Sequence, residues 1–246
     1  MQPRSTSTSK DTIASARERL IVALDTDTAT KAREIVEDLK GEVFAFKIGL
    51  QLFTAEGPSF VSELVQTGER VFLDLKFHDI PNTTAQAAVS AARLGVWMMN
   101  FHAAAGTEAL RAARLAVEEV CGRESLPRPL LIGVTLLTSS GEGHLRELGF
   151  AGTPEDYVVR LAKTVRAAGL DGVVASACEA AVLRREVSDD LVIVTPGIRP
   201  ADGTLGDQKR VMTFREAIES GSTYAVVGRP ITAQADRRAA LANLIS

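Results

Sequence analysis

Short, near-continuous runs of Val, Ile, Leu and Phe recur along the chain at 20–24, 43–48, 71–75, 96–101, 130–134, 172–175, 191–194 and 224–227. Each has the length of a buried strand rather than of a helix. Between them lie Ala-, Glu- and Arg-rich stretches of helical period, at 28–40, 83–93, 106–120, 155–168 and 177–186. Apolar strands alternating with amphipathic helices predict a parallel sheet buried on both faces. Eight such units in 246 residues match a (β/α)8 TIM barrel, typically about 250 residues long. An open doubly wound sheet is the lesser alternative. No GxGxxG follows the first strand, where Asp25 and Thr26 stand instead, which argues against a dinucleotide site. The expected organisation is a single α/β barrel catalytic domain over 19–246, preceded by an extension over 1–18 that is disordered or loosely helical.

Charge narrows the partners. With 28 Lys and Arg against 31 Asp and Glu, the net charge is -3. That disfavours a nucleic-acid partner but allows a local basic pocket for a phosphate. No apolar run approaches the roughly 18 residues of a membrane span, so no membrane partner is expected. The N-terminal stretch is rich in Ser, Thr, Lys and Arg without an apolar core, unlike a secretory signal. Only two cysteines occur, Cys121 and Cys178, with no CxxC and no metal-ligand spacing. Free buried thiols in a reducing cytoplasm, and no metal centre, are the expectation.

In a barrel the C-terminal strand ends converge on the active site. Those ends carry Asp25, Lys47, the set Asp74, Lys76 and Asp79, Asn100 and His102, Thr135 and Thr138, the segment 195–200 with Arg199, and Gly228 with Arg229. Asp74 and Lys76, two apart, share one strand face. If their strand neighbours that of Lys47, then Lys47, Asp74, Lys76 and Asp79 could form an alternating-charge cluster at one rim. Buried charges persist only when paired, which makes such a cluster a site candidate. His78 and His102 are given no catalytic role, and His144 lies in a Gly-rich loop without a visible partner. Ser139 and Ser140 lack a nucleophile elbow.

Gly228-Arg229, with Pro230 opening a helical turn, has the parts of a phosphate site: a glycine that admits the anion, helix N–H groups and a cationic fork. The segment 196–210, with glycines at 197, 203 and 206, reads as a lid beside it.

The run DLKFHDIPNT at 74–83 resembles the signature of the orotidine 5'-phosphate decarboxylase family in its bacterial form. The likeness extends through Leu24-Asp25, FKIG at 46–49, LTS at 137–139, PGIRP at 196–200 and GRPIT at 228–232. It covers nearly the whole chain after the extension. The resemblance implies cofactor-free decarboxylation of a nucleoside monophosphate in pyrimidine synthesis, with Lys76 protonating C6 and Asp74 crowding the substrate carboxylate. Lys47 and Asp79 would complete the charge network. Asp25 and Lys47 would hold the ribose hydroxyls, with Asp79 and Thr83 reaching in from the other subunit of a homodimer. Thr138 would meet the pyrimidine edge, Gln208, Gly228 and Arg229 the phosphate, and Arg199 a further substrate contact. Metal-using barrel relatives are expected to carry an acidic residue in place of Lys47.

Two rival readings use the same residues. One is a Schiff-base aldolase with Lys76 as nucleophile, disfavoured because flanking aspartates keep an amine protonated. The other is a non-catalytic phosphate-binding scaffold, which would have no use for the alternating charges.

Overall fold

The protein is described by a computed structural model over residues 16–200 and 212–246. Eight parallel strands close in chain order, β8 pairing back onto β1. They are β1 (Leu20–Ala23), β2 (Ala45–Gly49), β3 (Val71–Phe77), β4 (Met98–His102), β5 (Leu130–Val134), β6 (Gly172–Val174), β7 (Val192–Pro196) and β8 (Tyr224–Val227). Around them lie α1 (Ala29–Leu39), α2 (Leu50–Gln66), α3 (Pro81–Arg93), α4 (Gly106–Glu124), α5 (Glu142–Glu147), α6 (Pro154–Ala168), α7 (Ala177–Glu186), α8 (Phe214–Glu219), α9 (Arg229–Thr232) and α10 (Arg237–Ile245). The expected (β/α)8 barrel is the observed fold.

The two faces of each strand meet different partners. One set of side chains packs outward against the helices, as Leu20, Val22, Phe46, Leu73 and Phe101 do. The other fills the barrel: Ile21, Ala23, Ala45, Phe72, Met98, Ile132, Val194 and Val226 form a separate interior cluster. Below it the rings of Phe44, Trp97 and Tyr224 lie with centroids 5.1 to 5.2 Å apart, and the Arg70 guanidinium stands 4.4 Å from the Phe44 ring. The period of two has a direct consequence above the plug. Two residues beyond Ala45, Phe72 and Met98 come Lys47, Asp74 and Asn100, so the strands that fill the barrel with hydrocarbon also deliver polar groups to its mouth.

Helix starts are set by side chains. Thr153, Ser176 and Thr213 each make a capping box with the acidic residue three positions on, satisfying N–H groups that a helix start leaves open. Helix α2 has no counterpart among the sequence-based expectations, because Gly57 at φ 71 and Pro58 interrupt its period with a kink. His144 belongs to α5, not to a loop, with Nδ1 3.8 Å from Glu147 Oε2. Cys121 is buried as expected, whereas Cys178 is exposed near the start of α7; both thiols are free. No helix among the described residues is long and apolar enough to cross a membrane.

Candidate active site

Four charged side chains form one continuous chain across the barrel mouth. Lys47 Nζ lies 3.0 Å from Asp25 Oδ1 and 3.1 Å from Asp74 Oδ2. Asp74 Oδ1 accepts from Lys76 Nζ at 2.7 Å and from Asn100 Nδ2 at 2.6 Å. Lys47 and Asp74 are 8% and 9% exposed, burial that ions tolerate only when paired and hydrogen-bonded. Burial alone would raise the Asp74 pKa, but Lys47 and Lys76, with hydrogen bonds from Lys76 and Asn100, hold it below the ordinary carboxylate value. Burial alone would lower that of Lys47, yet Asp74 and Asp25 push it above the ordinary lysine value. Both groups are therefore charged at neutral pH.

Strand β3 departs from a regular ladder at this point. Its pairing with β4 runs Leu73 to Met99 and then Phe77 to Phe101, a register shift in which residues 74–76 lie opposite Asn100 alone. Within this bulge Lys76 has φ 52, in the left-handed region that non-glycine residues rarely enter.

Two chambers open on either side of the charge chain. One, of about 220 Å³, is walled by Phe72, Val134, Leu136, Val174, Ala175 and Val194, with Thr138 among its few polar groups. The other, of about 430 Å³, is lined by Asp25, Gln51, Gly197, Arg199, Gly228 and Arg229. Lys47, Asp74, Pro196 and Val226 line both, while Lys76 lines the apolar chamber. A single elongated ligand with a flat apolar end and an anionic end fits that division. Gly49 lets the charge chain close up, since a Cβ there would meet Lys47 Nζ at 3.1 Å and Asp25 Oδ1 at 3.3 Å.

The site thus unites Asp25, Lys47, Asp74, Lys76, Thr138, Arg199, Gly228 and Arg229 around one cavity pair. Asp79 stands apart: it is exposed in the turn after β3, its Oδ1 accepting from Ile80 N–H at 2.7 Å and its carbonyl from Thr84 Oγ1 at 2.9 Å. In its own chain the quartet is completed by Asp25 rather than by Asp79. Thr83 is likewise exposed at the start of α3. Gln208 and most of the lid segment lie outside the described residues. Asn100 was visible in the sequence only as a polar residue at a strand end; the signal that would have singled it out is its spacing of two from the barrel-filling Met98. The rings of His78 and His102 approach to 5.5 Å. Burial, reinforced by His78 and Lys76 and opposed by Asp74, pushes the His102 pKa below its ordinary value.

A buried charge cluster at the C-terminal ends of the parallel strands lies where (β/α)8-barrel enzymes carry their active sites, and defines this molecule as one of that class. The sequence model of the orotidine 5'-phosphate decarboxylase / HUMPS family matches residues 18–244. A protein of Syntrophotalea carbinolica named orotidine 5'-phosphate decarboxylase is 51% identical over 225 residues, covering 91% of this chain and 92% of the relative. One of the same name from Pseudoalteromonas translucida is 48% identical over 223 residues, covering 91% and 93%. The crystal structure of orotidine 5'-phosphate decarboxylase from Lactobacillus acidophilus superposes with a TM-score of 0.80 at 36% identity, covering 92% of this chain and 96% of that one. The chain belongs to the orotidine 5'-phosphate decarboxylase family and is an enzyme of the carboxy-lyase class.

Proposed function

We propose that the chain converts orotidine 5'-phosphate to uridine 5'-phosphate and carbon dioxide without a cofactor, with Lys76 as proton donor to C6. The observation that carries this reading is that Lys47 and Asp74 line both an apolar chamber and one that bears Arg199 and Arg229, while Lys76 lines the apolar chamber. The pyrimidine would lie in the first, its polar edge on Thr138. The ribose would meet Asp25 and Lys47, and the phosphate Gly228, Arg229 and Gln208, with Arg199 beside them. The bond from C6 to the carboxylate breaks, its electron pair stays on C6, and the Lys76 ammonium supplies the proton for the new C6–H bond. Water then reprotonates the amine. Because the pair on C6 has no good electron sink, stabilisation must come from fixed charge and a ready proton.

Repulsion from Asp74 is too small to act alone. Two like charges at about 4 Å with an effective dielectric of 20 repel by about 4 kcal/mol, or roughly three decades of rate. The larger share falls to preorganised lysines and to phosphate binding energy that excludes water from the pocket. The 2.7 Å contact of Lys76 Nζ with Asp74 Oδ1 engages the nitrogen that a Schiff-base aldolase would need as its nucleophile.

The reading includes a homodimer in which Asp79 and Thr83 enter the neighbouring site. Their exposure, and that of Ile80 at 67% between them, supports this. It also includes a cytoplasmic location, in keeping with two free thiols. A spectrophotometric assay of orotidine 5'-phosphate loss, run with and without EDTA, tests the function. No absorbance change with this substrate, or borohydride trapping of Lys76 on a sugar phosphate, would reject it.

A further inference from the structure

We propose that Asn100 is a positioning residue for proton transfer: its amide holds the Lys76 backbone in the left-handed conformation and fixes the Asp74 carboxylate on which the ammonium rests. The inference rests on the decarboxylase reading for its kinetic consequence, but not for its structural one.

The need arises from the bulge. Where residues 74–76 of β3 face Asn100 alone, the Lys76 N–H has left the regular ladder, and a buried backbone donor without a partner is costly. Asn100 Oδ1 accepts that N–H at 2.8 Å. The same side chain donates through Nδ2 to Asp74 Oδ1 at 2.6 Å, and the residue is 0% exposed. One amide thus replaces a missing strand contact and orients a carboxylate. Only one amide orientation serves both, because a flipped group would set its NH2 against the Lys76 N–H and its carbonyl against the carboxylate.

The geometry makes asparagine specific here. Aspartate could accept from the N–H but could not donate to Asp74, and would add a second negative charge beside it. Leucine has nearly the same shape and can do neither. A left-handed non-glycine residue persists only where its surroundings enforce it, and such enforcement keeps the ammonium aimed without substrate-induced rearrangement. Misplacement of a reacting group by about 1 Å can lower a rate by about two decades.

The test uses the full chain. Asn100→Asp and Asn100→Leu are expected to lower kcat by about a hundredfold while uridine 5'-phosphate affinity and KM stay within about threefold of wild type. In a Lys76→Ala background the same changes are expected to cause little further loss, because the residue acts through Lys76. A crystal structure of Asn100→Leu should show residue 76 at negative φ with Nζ displaced from Asp74; if that variant does not fold, the isosteric Asn100→Asp supplies the structure, with Nζ displaced. Wild-type-like kcat, an additive loss in the Lys76→Ala background, parallel loss of nucleotide binding, or an unchanged residue 76 would each overturn the proposal. An inactive wild type would instead reject the decarboxylase reading, leaving the crystallographic arm to decide the clamp.

Discussion

Lys47 and Asp74 sit on adjacent strands with Nζ and Oδ2 3.1 Å apart, each nearly closed to solvent. Each is also the other's route to a second ion: Lys47 reaches Asp25, and Asp74 reaches Lys76. Two ammonium and two carboxylate groups therefore alternate along the barrel mouth with no net charge. Such an arrangement has a function-bearing character, because well-packed apolar residues often stabilise a core as well as buried ions do.

Removing one member should expose that balance. Asp74→Ala leaves Lys47 and Lys76 with Asp25 alone, and breaking a buried pair in this way typically destabilises by about 3–5 kcal/mol. Denaturant titration at neutral pH should show a clearly lower midpoint. A midpoint equal to wild type would mean that the charges are not coupled to the fold.

The pH dependence of that difference follows from the shifted groups. Asp74 is held low, so its stabilisation is complete above about 3.9, the unfolded value, and is lost as pH falls through the lower folded one. Lys47 is held high, so its stabilisation is complete below about 10.4 and is lost as pH rises through the higher folded one. The gap between wild type and Asp74→Ala should stay near its plateau between about pH 5 and 9 and shrink in stronger acid. A gap that peaks instead near pH 3 would contradict the assignment.

The barrel and most of this network were legible in the sequence because both rest on short-range rules. Apolar strands and helical periods repeat, and the spacing of two between Asp74 and Lys76 places both on one face. What escaped depended on contacts between segments. Nothing local to Lys76 announces a left-handed backbone, since the bulge is a property of β3 paired with β4. Asn100 looks like any polar strand end until its partners are known. Helix α2 was hidden by Gly57 and Pro58, and the direction taken by Asp79 could not be read from strand alternation, because it lies beyond the end of β3 at Phe77.

Lys76→Ala should lower turnover by several decades while leaving uridine 5'-phosphate binding largely intact, because Gly228 and Arg229 line a different chamber from the ammonium. Steady-state kinetics and nucleotide titration check it. Retention of more than about a tenth of the rate, equivalent to only about 1.4 kcal/mol of barrier, would remove Lys76 from its role.

Gly49→Ala places a methyl group 3.1 Å from Lys47 Nζ and 3.3 Å from Asp25 Oδ1. Tight contacts force their neighbours to shift, and here the neighbours hold the ribose in the proposed reading. We expect kcat/KM to fall about tenfold, close to 1.4 kcal/mol, with the thermal midpoint nearly unchanged. Wild-type kinetics would show that the Asp25–Lys47 spacing tolerates change.

Chelation should leave activity intact, since Lys47 stands where metal-using barrel relatives are expected to carry a carboxylate. Activity that disappears with EDTA and returns with magnesium would move the chain to that branch of the family.

The proposed sharing of sites across a dimer makes the sharpest quantitative prediction. Asp79 lies beyond β3, exposed and outside its own charge chain, so its proposed work must be done in a neighbouring barrel. Lys76→Ala and Asp79→Ala homodimers should each be inactive. In a mixed dimer with shared sites, one pocket receives both defects and the other receives neither. Random reassortment of equal amounts makes half the dimers mixed, each with one intact pocket of two, so about a quarter of wild-type activity should return, by the symmetry of a closed two-fold dimer. If subunit exchange is demonstrated and mixing restores nothing, Asp79 does not serve the neighbouring site.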